Sequence, residues 1–369
     1  MKKHFETLTD PRQPWKVHYK LDEIVIMTIC AVISGYDYWE DIVDFCRVRE
    51  RWFREKLALE LKNGIASHDT FQRIFQRVSS QEMERSFISW VKSIENKTEG
   101  EIKSIDGKLA RASRDAKTKA LLLVSAWANA NKLVLGQVKA DEKSNELTAI
   151  RTLLDLLELK GCLITIDAAG CHKDIVKKIT EADAHFVIGL KGNQNTLYKN
   201  VKLYFEEQAK TDFSLTDTLK KTKTVDRGHG RTEIREYCLE TDIDRLPQKS
   251  QWSGLNAIGM VKSTVIEKGV LREETRYFIT SLTDIELFAK AVRAHWGIEN
   301  SLHWCLDVTF GEDNNRTRKD NSAENLAIIR RIALNVLKKH PAKMSLARKR
   351  RKCSYDAKFM DDIVIEAVL

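Results

Sequence analysis

The chain has 369 residues, 43% hydrophobic and 31% charged, with 62 Lys+Arg against 53 Asp+Glu for a net charge of +9. That composition fits a soluble protein of two or three packed domains, and the basic excess favours a polyanionic partner bound through phosphate neutralisation. No 18-residue apolar run occurs, the start Met1-Lys2-Lys3-His4-Phe5-Glu6 lacks the apolar stretch of a secretory signal, and the seven cysteines form no C-x-x-C pair. We therefore expect no membrane span, no disulfide framework or zinc knuckle, and a reduced cytoplasmic setting.

Residues 21–34 (LDEIVIMTICAVIS) predict a nearly all-apolar helix stopped by Gly35. Residues 38–60 predict one charged amphipathic helix with Trp39, Ile42, Val43, Cys46 and Phe53 on its apolar side. Ser67 to Thr70 offer caps to a helix carrying Phe71, Ile74, Phe75 and Val78, and a further helix follows Ser79-Ser80. This helical region ends near residue 98. Two readings stand for it: a helix-turn-helix that turns Gln72, Arg73, Gln76 and Arg77 to DNA, or a plain bundle packed against the rest.

The next segment alternates. Residues 102–106 read as a strand, 120–129 and 133–139 as a hairpin, 145–159 as a helix, 163–167 as a strand, 174–182 as a helix and 185–190 as a strand. A helix at 196–208 precedes two stretches, 216–240 and 255–282, rich in Thr, Val, Ile and Tyr around the turn Arg227-Gly228-His229-Gly230, which read as β-hairpins. Asp284 then caps a long helix carrying Glu299, and a last helix at about 323–339 is stopped by Pro341. The tail holds the basic run Arg348-Lys349-Arg350-Arg351-Lys352, read as solvated or as a nonspecific phosphate binder.

Three acids stand out. Asp106 closes IKSID, Asp167 closes CLITID, and both read as carboxylates at the C-terminal ends of strands, where ligand sites of parallel sheets lie. Glu299 reads as a helical carboxylate within HWGIEN. Such a set suits hard divalent cations, and two ions can clamp the attacking and leaving oxygens of a phosphodiester. Asp307, Glu312 and Asp313 are competing acids for the third position. His295, Glu299, His303 and Asp307 recur at i+4, a stripe also compatible with zinc, although the order is not H-E-x-x-H. Trp296 and Trp304 are expected to pack this helix onto the sheet. Candidate DNA contacts are Lys108 and Arg111 after the first aspartate, Lys191 and Asn193 after the fifth strand, Arg227, His229 and Arg231 at the hairpin turn, and Arg293 and His295 before Glu299.

The stretches SIDGK, TIDAAGCHKDI, FVIGLKGNQ, DRGHGRTEIRE and AVRAHWGIENSLHWCLDVTFGEDNNRTR resemble DDE transposases of bacterial insertion sequences, in particular the H-repeat-associated group. HFETLTDPRQPWKVHYKLDEIVIMTICAVISG resembles the domain that precedes the catalytic core in that group. The resemblance implies an α/β protein: a helical N-terminal domain at 1–98, a ribonuclease-H-like DDE core at 99–340 with a β-rich insertion at about 196–283, and a basic tail at 341–369. It implies Asp106, Asp167 and Glu299 as catalytic and metal-binding residues, Mg²⁺ as cofactor with Mn²⁺ as substitute, and DNA as partner, both the terminal inverted repeats of the element and target DNA. Cleavage and transfer of 3′-hydroxyl ends follow, with a homodimer in the DNA complex and nucleoid association when bound. A metal-dependent nuclease without strand transfer and an inactive DNA-binding relic are the alternatives.

Overall fold

In the computed structural model, all residues are described except 97, 115–119, 141–145, 212–216, 229 and 369. They divide into two compact units, the first comprising Met1–Asn96, Gly107–Glu142 and Glu299–Leu369, the second Lys97–Asp106 and Lys143–Ile298.

The first unit is mainly helical. The helix Leu21–Ile33 is buried along almost its whole length, as its unbroken apolar sequence requires. Its wall is the helix Ser322–Lys339, also buried nearly throughout. That burial includes polar side chains, and two asparagines among them are held by backbone partners. Asn325 Nδ2 donates to the carbonyls of Phe75 and Val78 at 2.9 and 3.0 Å, and Asn335 takes both backbone groups of Val134 at 2.8 Å. Around this pair lie the helices Trp39–Val48, Glu50–Leu57, His68–Arg77 and Ser80–Ile94. The single helix expected at 38–60 is therefore two, broken at Arg49 (φ −102°, ψ 11°). Ser79 Oγ caps the last of the four by accepting from the Glu82 amide at 3.3 Å.

The basic run at 348–352 is no solvated tail. It lies in a helix, Leu346–Tyr355, followed by another, Ala357–Val368. Arg350 is buried and holds both oxygens of Asp37 (2.8 and 2.9 Å) and the Val32 carbonyl, and Lys349 Nζ donates to the carbonyls of Leu337 and His340 at 2.8 and 2.7 Å. Two of the five cations thus neutralise orphan carbonyls and an acid inside the unit.

Among the described residues there are nine strands. β1 (Ile102–Ala110) passes from the second unit into the first at Asp106 and runs beside β2 (Leu121–Ala128), which pairs antiparallel with β3 (Leu133–Ala140). In the second unit β1 pairs in parallel with β4 (Leu163–Ile166), and β4 with β5 (His185–Leu190). β5 is then joined antiparallel by β9 (Val270–Thr280), followed outward by β8 (Ala257–Glu267), β7 (Arg231–Glu240) and β6 (Leu219–Gly228). The β-rich stretch thus continues the same sheet from β5. The helix Ile285–Ile298 covers it through Phe288 and Val292, against Leu163, Val187, Tyr237 and Val261. Gly259 on β8 is where the Phe288 ring sits: a Cβ there would stand 2.4 Å from its Cζ. No helix of the described residues is long and apolar enough to cross a membrane.

Candidate active site

The parallel register runs from Ile102↔Leu163 to Ile105↔Ile166. Asp106 and Asp167 each follow the last paired residue, so two carboxylates stand at one level where the β1–β4 pairing ends. Asp106 does not close its strand as expected. It is the fifth of nine residues, because β1 continues to Ala110 beside β2; only the pairing with β4 stops there.

Asp167 is fixed by its own turn. Its Oδ1 accepts from the amides of Ala169 (3.0 Å) and Gly170 (3.4 Å), a local aspartate cap. Two glycines make the turn possible. A Cβ on Gly170 would lie 2.4 Å from Ile166 Cγ2, and one on Gly189 of β5 would lie 3.0 Å from the Ala168 amide nitrogen. The loop after β5 braces the turn from its other side. Asn193 Nδ2 donates to the Ala168 carbonyl at 2.8 Å and Gln194 Nε2 to the Cys171 carbonyl at 3.0 Å. Asn193 is thus engaged with backbone beside Asp167, whereas Lys191 is exposed.

One acid near Asp167 escaped the sequence reading. Glu146 opens the helix Glu146–Leu156; burial, and then the charge of Asp167, hold its carboxyl above the ordinary carboxylate range. Burial and Asp167 also push the Cys171 thiol up to about 12, which keeps it an inert thiol.

The helix Ile285–Ile298 begins at Asp284, whose Oδ1 accepts from the amides of Glu286 and Leu287 at 2.8 and 3.1 Å. Its last turn is tied to the strands that carry the aspartates. His295 Nδ1 lies 3.1 Å from Thr165 Oγ1, which donates to Ser104 Oγ at 2.9 Å, and Ser104 Oγ approaches the Ala294 carbonyl at 3.5 Å. His295, expected as a DNA contact, is through Nδ1 a polar strut between helix and sheet. Arg293 is exposed, 3.6 Å from Asp226 of β6.

Glu299 is the next residue after Ile298 and opens a π-helical turn, Glu299–His303, before α-helix resumes at Trp304–Val308. Single π turns inside helices are rare and recur at functional sites. Glu299 is exposed, with His303 Nδ1 3.4 Å from its Oε2. The i+4 stripe divides among different partners: His295 with Thr165, Glu299 with His303, Asp307 with Lys108. The two tryptophans expected to pack onto the sheet differ. Trp296 is 39% exposed with Arg276 of β9 stacked 4.5 Å from its ring centre, whereas Trp304 is 59% exposed.

Within the first unit, Lys108 gathers the three competing acids. It is buried, with Nζ 2.6 Å from Asp307, 3.4 Å from Glu312 and 3.1 Å from Asp313. Burial opposes the charge of Glu312, but Arg331 (2.9 Å), then Lys108, outweigh it and hold its pKa at about 2. Burial raises Asp307 despite the Lys108 hydrogen bond. All three acids share Lys108, Glu312 also holding Arg331, and Lys108 is buried rather than on the surface where a phosphate contact was expected. Arg111 remains exposed, its guanidinium 3.6 Å from Asp313.

At the hairpin, Gly228 pairs with Arg231 and Gly230 takes φ +73°, the left-handed geometry glycine tolerates. Arg227 is exposed and Arg231 is 3.2 Å from Glu233. His229 lies outside the described residues. Of the strand lysines, Lys220 donates to the Thr283 carbonyl at 2.8 Å and Lys223 pairs with Glu236 at 3.1 Å.

The chain belongs to the DDE transposase family. The family model described as "Transposase DDE domain" matches residues 97–336, and "DDE_Tnp_1-associated" matches residues 2–91. Among relatives, the chain is 38% identical to "Putative transposase YncI" of Escherichia coli O157:H7, over 98% of this chain and 93% of that one. It is 37% identical to "H repeat-associated putative transposase YhhI" of Escherichia coli K12, over 98% and 96%. A shorter relative, "Inactive transposase YbfQ" of the same strain, is 45% identical over 19% of this chain and 82% of its own length.

Proposed function

We propose that the protein is a metal-dependent DNA transposase with a ribonuclease-H-like core, in which Asp106, Asp167 and Glu299 are the catalytic acids. The observation that carries the reading is the Ile105↔Ile166 register, which sets two aspartates side by side on parallel strands inside the span matching the transposase DDE domain. Glu299 follows from its place, one turn after the His295 strut and first in the π turn.

The donor set fits Mg²⁺ or Mn²⁺. All three groups are carboxylates, and hard cations take oxygen ligands. The Asp167 turn engages Oδ1 alone, and no partner of Oδ2 occurs among the described residues. Asp106, Asp167 and Glu299 would hold two ions, which supply charge to the attacking and leaving oxygens of an in-line displacement. The chain's own contribution is positional. The Ala169 and Gly170 amides orient Asp167, and the His295–Thr165–Ser104 chain anchors the helix that leads into Glu299.

In the first reaction, water attacks the phosphodiester at the element's end and releases a 3′-hydroxyl. In the second, that hydroxyl attacks target DNA and displaces one of its 3′-oxygens. Chemistry at two element ends calls for at least two copies in the working complex. The deciding experiment incubates purified protein with a duplex carrying the element's end, Mg²⁺ and a supercoiled target plasmid. Cleaved ends joined to plasmid support the reading. Cleavage without joined products indicates the nuclease alternative, and neither product a relic.

A further inference from the structure

The first unit contains a cleft of about 450 Å³ between the segment Pro11–Tyr19 and the helix His68–Arg77. Arg12, Lys16, His18, Tyr19, Arg73 and Arg77 line it, and no carboxylate does. Arg73 and Arg77 stand one turn apart, both exposed, on the same face of the helix. Among the described residues Arg77, Lys16 and His18 have no ion-pair partner; Arg73 donates Nε to the Asp69 carbonyl at 3.2 Å and lies 4.0 Å from its carboxylate, and Arg12 is engaged by Asp10 at 2.5 Å. Trp15, between lining residues on the same segment, is 75% exposed.

Both walls are held in place by other contacts, which leaves Arg73, Arg77 and Lys16 exposed. On the segment, Arg12 Nη2 donates to the Tyr19 carbonyl at 2.6 Å and Asn63 Nδ2 to the His18 carbonyl at 2.5 Å. On the helix, Phe71, Ile74 and Phe75 are buried, Phe75 lies 5.0 Å from the Trp39 ring, and Asn325 fixes the Phe75 carbonyl. Gln76, expected beside the arginines on a DNA-reading face, is buried instead. That removes one base-reading amide from the surface; the exposed cations beside Gln13 in the lining are Arg73, Arg77 and Lys16. Such groups contact phosphates and position a duplex without reading its sequence.

We propose that this cleft binds the phosphate backbone of duplex DNA, with Arg73, Arg77 and Lys16 as its contacts and Trp15 at its rim. The proposal rests on the transposase reading in that it takes DNA as the ligand. It differs from a recognition helix: the cleft holds end DNA and random DNA alike.

The test uses full-length protein and two duplexes of equal length, one carrying the element's end and one scrambled, with affinity measured across a salt series. Arg73→Ala with Arg77→Ala removes two exposed charges. Arg85→Ala with Lys92→Ala removes two exposed charges from the neighbouring helix Ser80–Ile94 and serves as control. Thermal melting establishes that both variants fold. Each lost phosphate contact lowers the magnitude of the log–log salt slope by about 1. The expected result is a loss of about 2 in slope on both duplexes for the cleft variant, at least tenfold weaker binding at low salt, and little change in the control. Equal losses in cleft and control variants overturn the proposal, since net charge alone would explain them. A loss confined to the end duplex overturns it in favour of base reading. Unchanged binding by the cleft variant, while wild type binds and cleaves, overturns the cleft and leaves the transposase reading standing. Failure of wild type to bind either duplex overturns both.

Discussion

Ile105 of β1 lies opposite Ile166 of β4, and this one pair sets the level at which Asp106 and Asp167 follow the end of the β1–β4 pairing. A slip of one residue would send one of the two carboxylates to the opposite face. The buried apolar neighbours Ile102, Ile105, Leu163 and Ile166 oppose any slip.

Asp106→Asn, Asp167→Asn and Glu299→Gln each lower end cleavage by about 10³-fold or more, because loss of a metal ligand removes several kcal/mol of transition-state stabilisation. DNA affinity changes little. Single-turnover cleavage and gel-shift binding check both halves. Full cleavage by Glu299→Gln, with none by Asp307→Asn in a folded protein, would move the third acid to Asp307.

Cleavage requires Mg²⁺ or Mn²⁺, and is lost with EDTA and restored by either ion. Ca²⁺ supports DNA binding but little cleavage, since it accepts looser oxygen coordination. Elemental analysis of the active protein settles the zinc alternative: stoichiometric zinc that leaves together with activity refutes the assignment.

Lys108→Met destabilises the protein by about 3–5 kcal/mol, because three carboxylates lose their shared internal cation. Adding Asp307→Asn restores part of that loss, and a double-mutant cycle from urea melts gives the coupling. Unchanged stability with a reduced salt slope for DNA binding would return Lys108 to the phosphate-contact role.

Glu84 is buried on the helix Ser80–Ile94, where its Oε1 accepts from the Gln137 amide at 2.8 Å. Burial raises its pKa from 4.5 to about 8. The folded carboxyl keeps its proton where the unfolded one has lost it, so this group's contribution to stability is full below pH 4.5 and declines as pH rises towards about 8. Glu84→Gln keeps the acceptor without the charge. The variant matches wild type at pH 5 and exceeds it by a few kcal/mol at pH 8, as read from urea midpoints. Parallel stability curves for the two proteins would disprove this.

Arg227→Ala with Arg231→Ala weakens binding to all duplexes and lowers the salt slope by between about 1 and 2, Arg231 contributing less because Glu233 already holds it. Identical titrations for variant and parent would take the hairpin out of the DNA-binding surface.

Local chemistry made much of this architecture legible. Asp284 and Ser79 announce their helices as caps, His185–Leu190 reads as a buried strand from its apolar run, and Arg227-Gly228-His229-Gly230 marks a tight turn. What stayed hidden depends on residues far away in the chain. Lys108 looks like a surface cation until residues 307–313 close around it, and Arg350 looks solvated until Asp37 and Val32 are beside it. Asp106 looks like a strand end because the pattern gives no sign that β2 extends pairing beyond it. Glu146 carries no local signature; only its proximity to Asp167 distinguishes it.

The pairing of β5 with β9 has a consequence for synthesis. β6 with β7 and β8 with β9 are each joined by a short hairpin turn, one of them Lys268-Gly269 with both φ positive, and form from neighbouring residues. β5 must wait. Its partner Thr280 leaves the ribosome about ninety residues after Leu190, roughly 5–20 s later at ordinary elongation rates. During that interval the Phe186-Val187-Ile188 edge is uncovered, the kind of edge that pairs with other chains. Any nascent or truncated fragment ending between β5 and β9 carries that edge permanently. Its expected fate is aggregation or capture by chaperones, even though the segments before it hold every residue they need to form β1, β4 and the Asp167 turn.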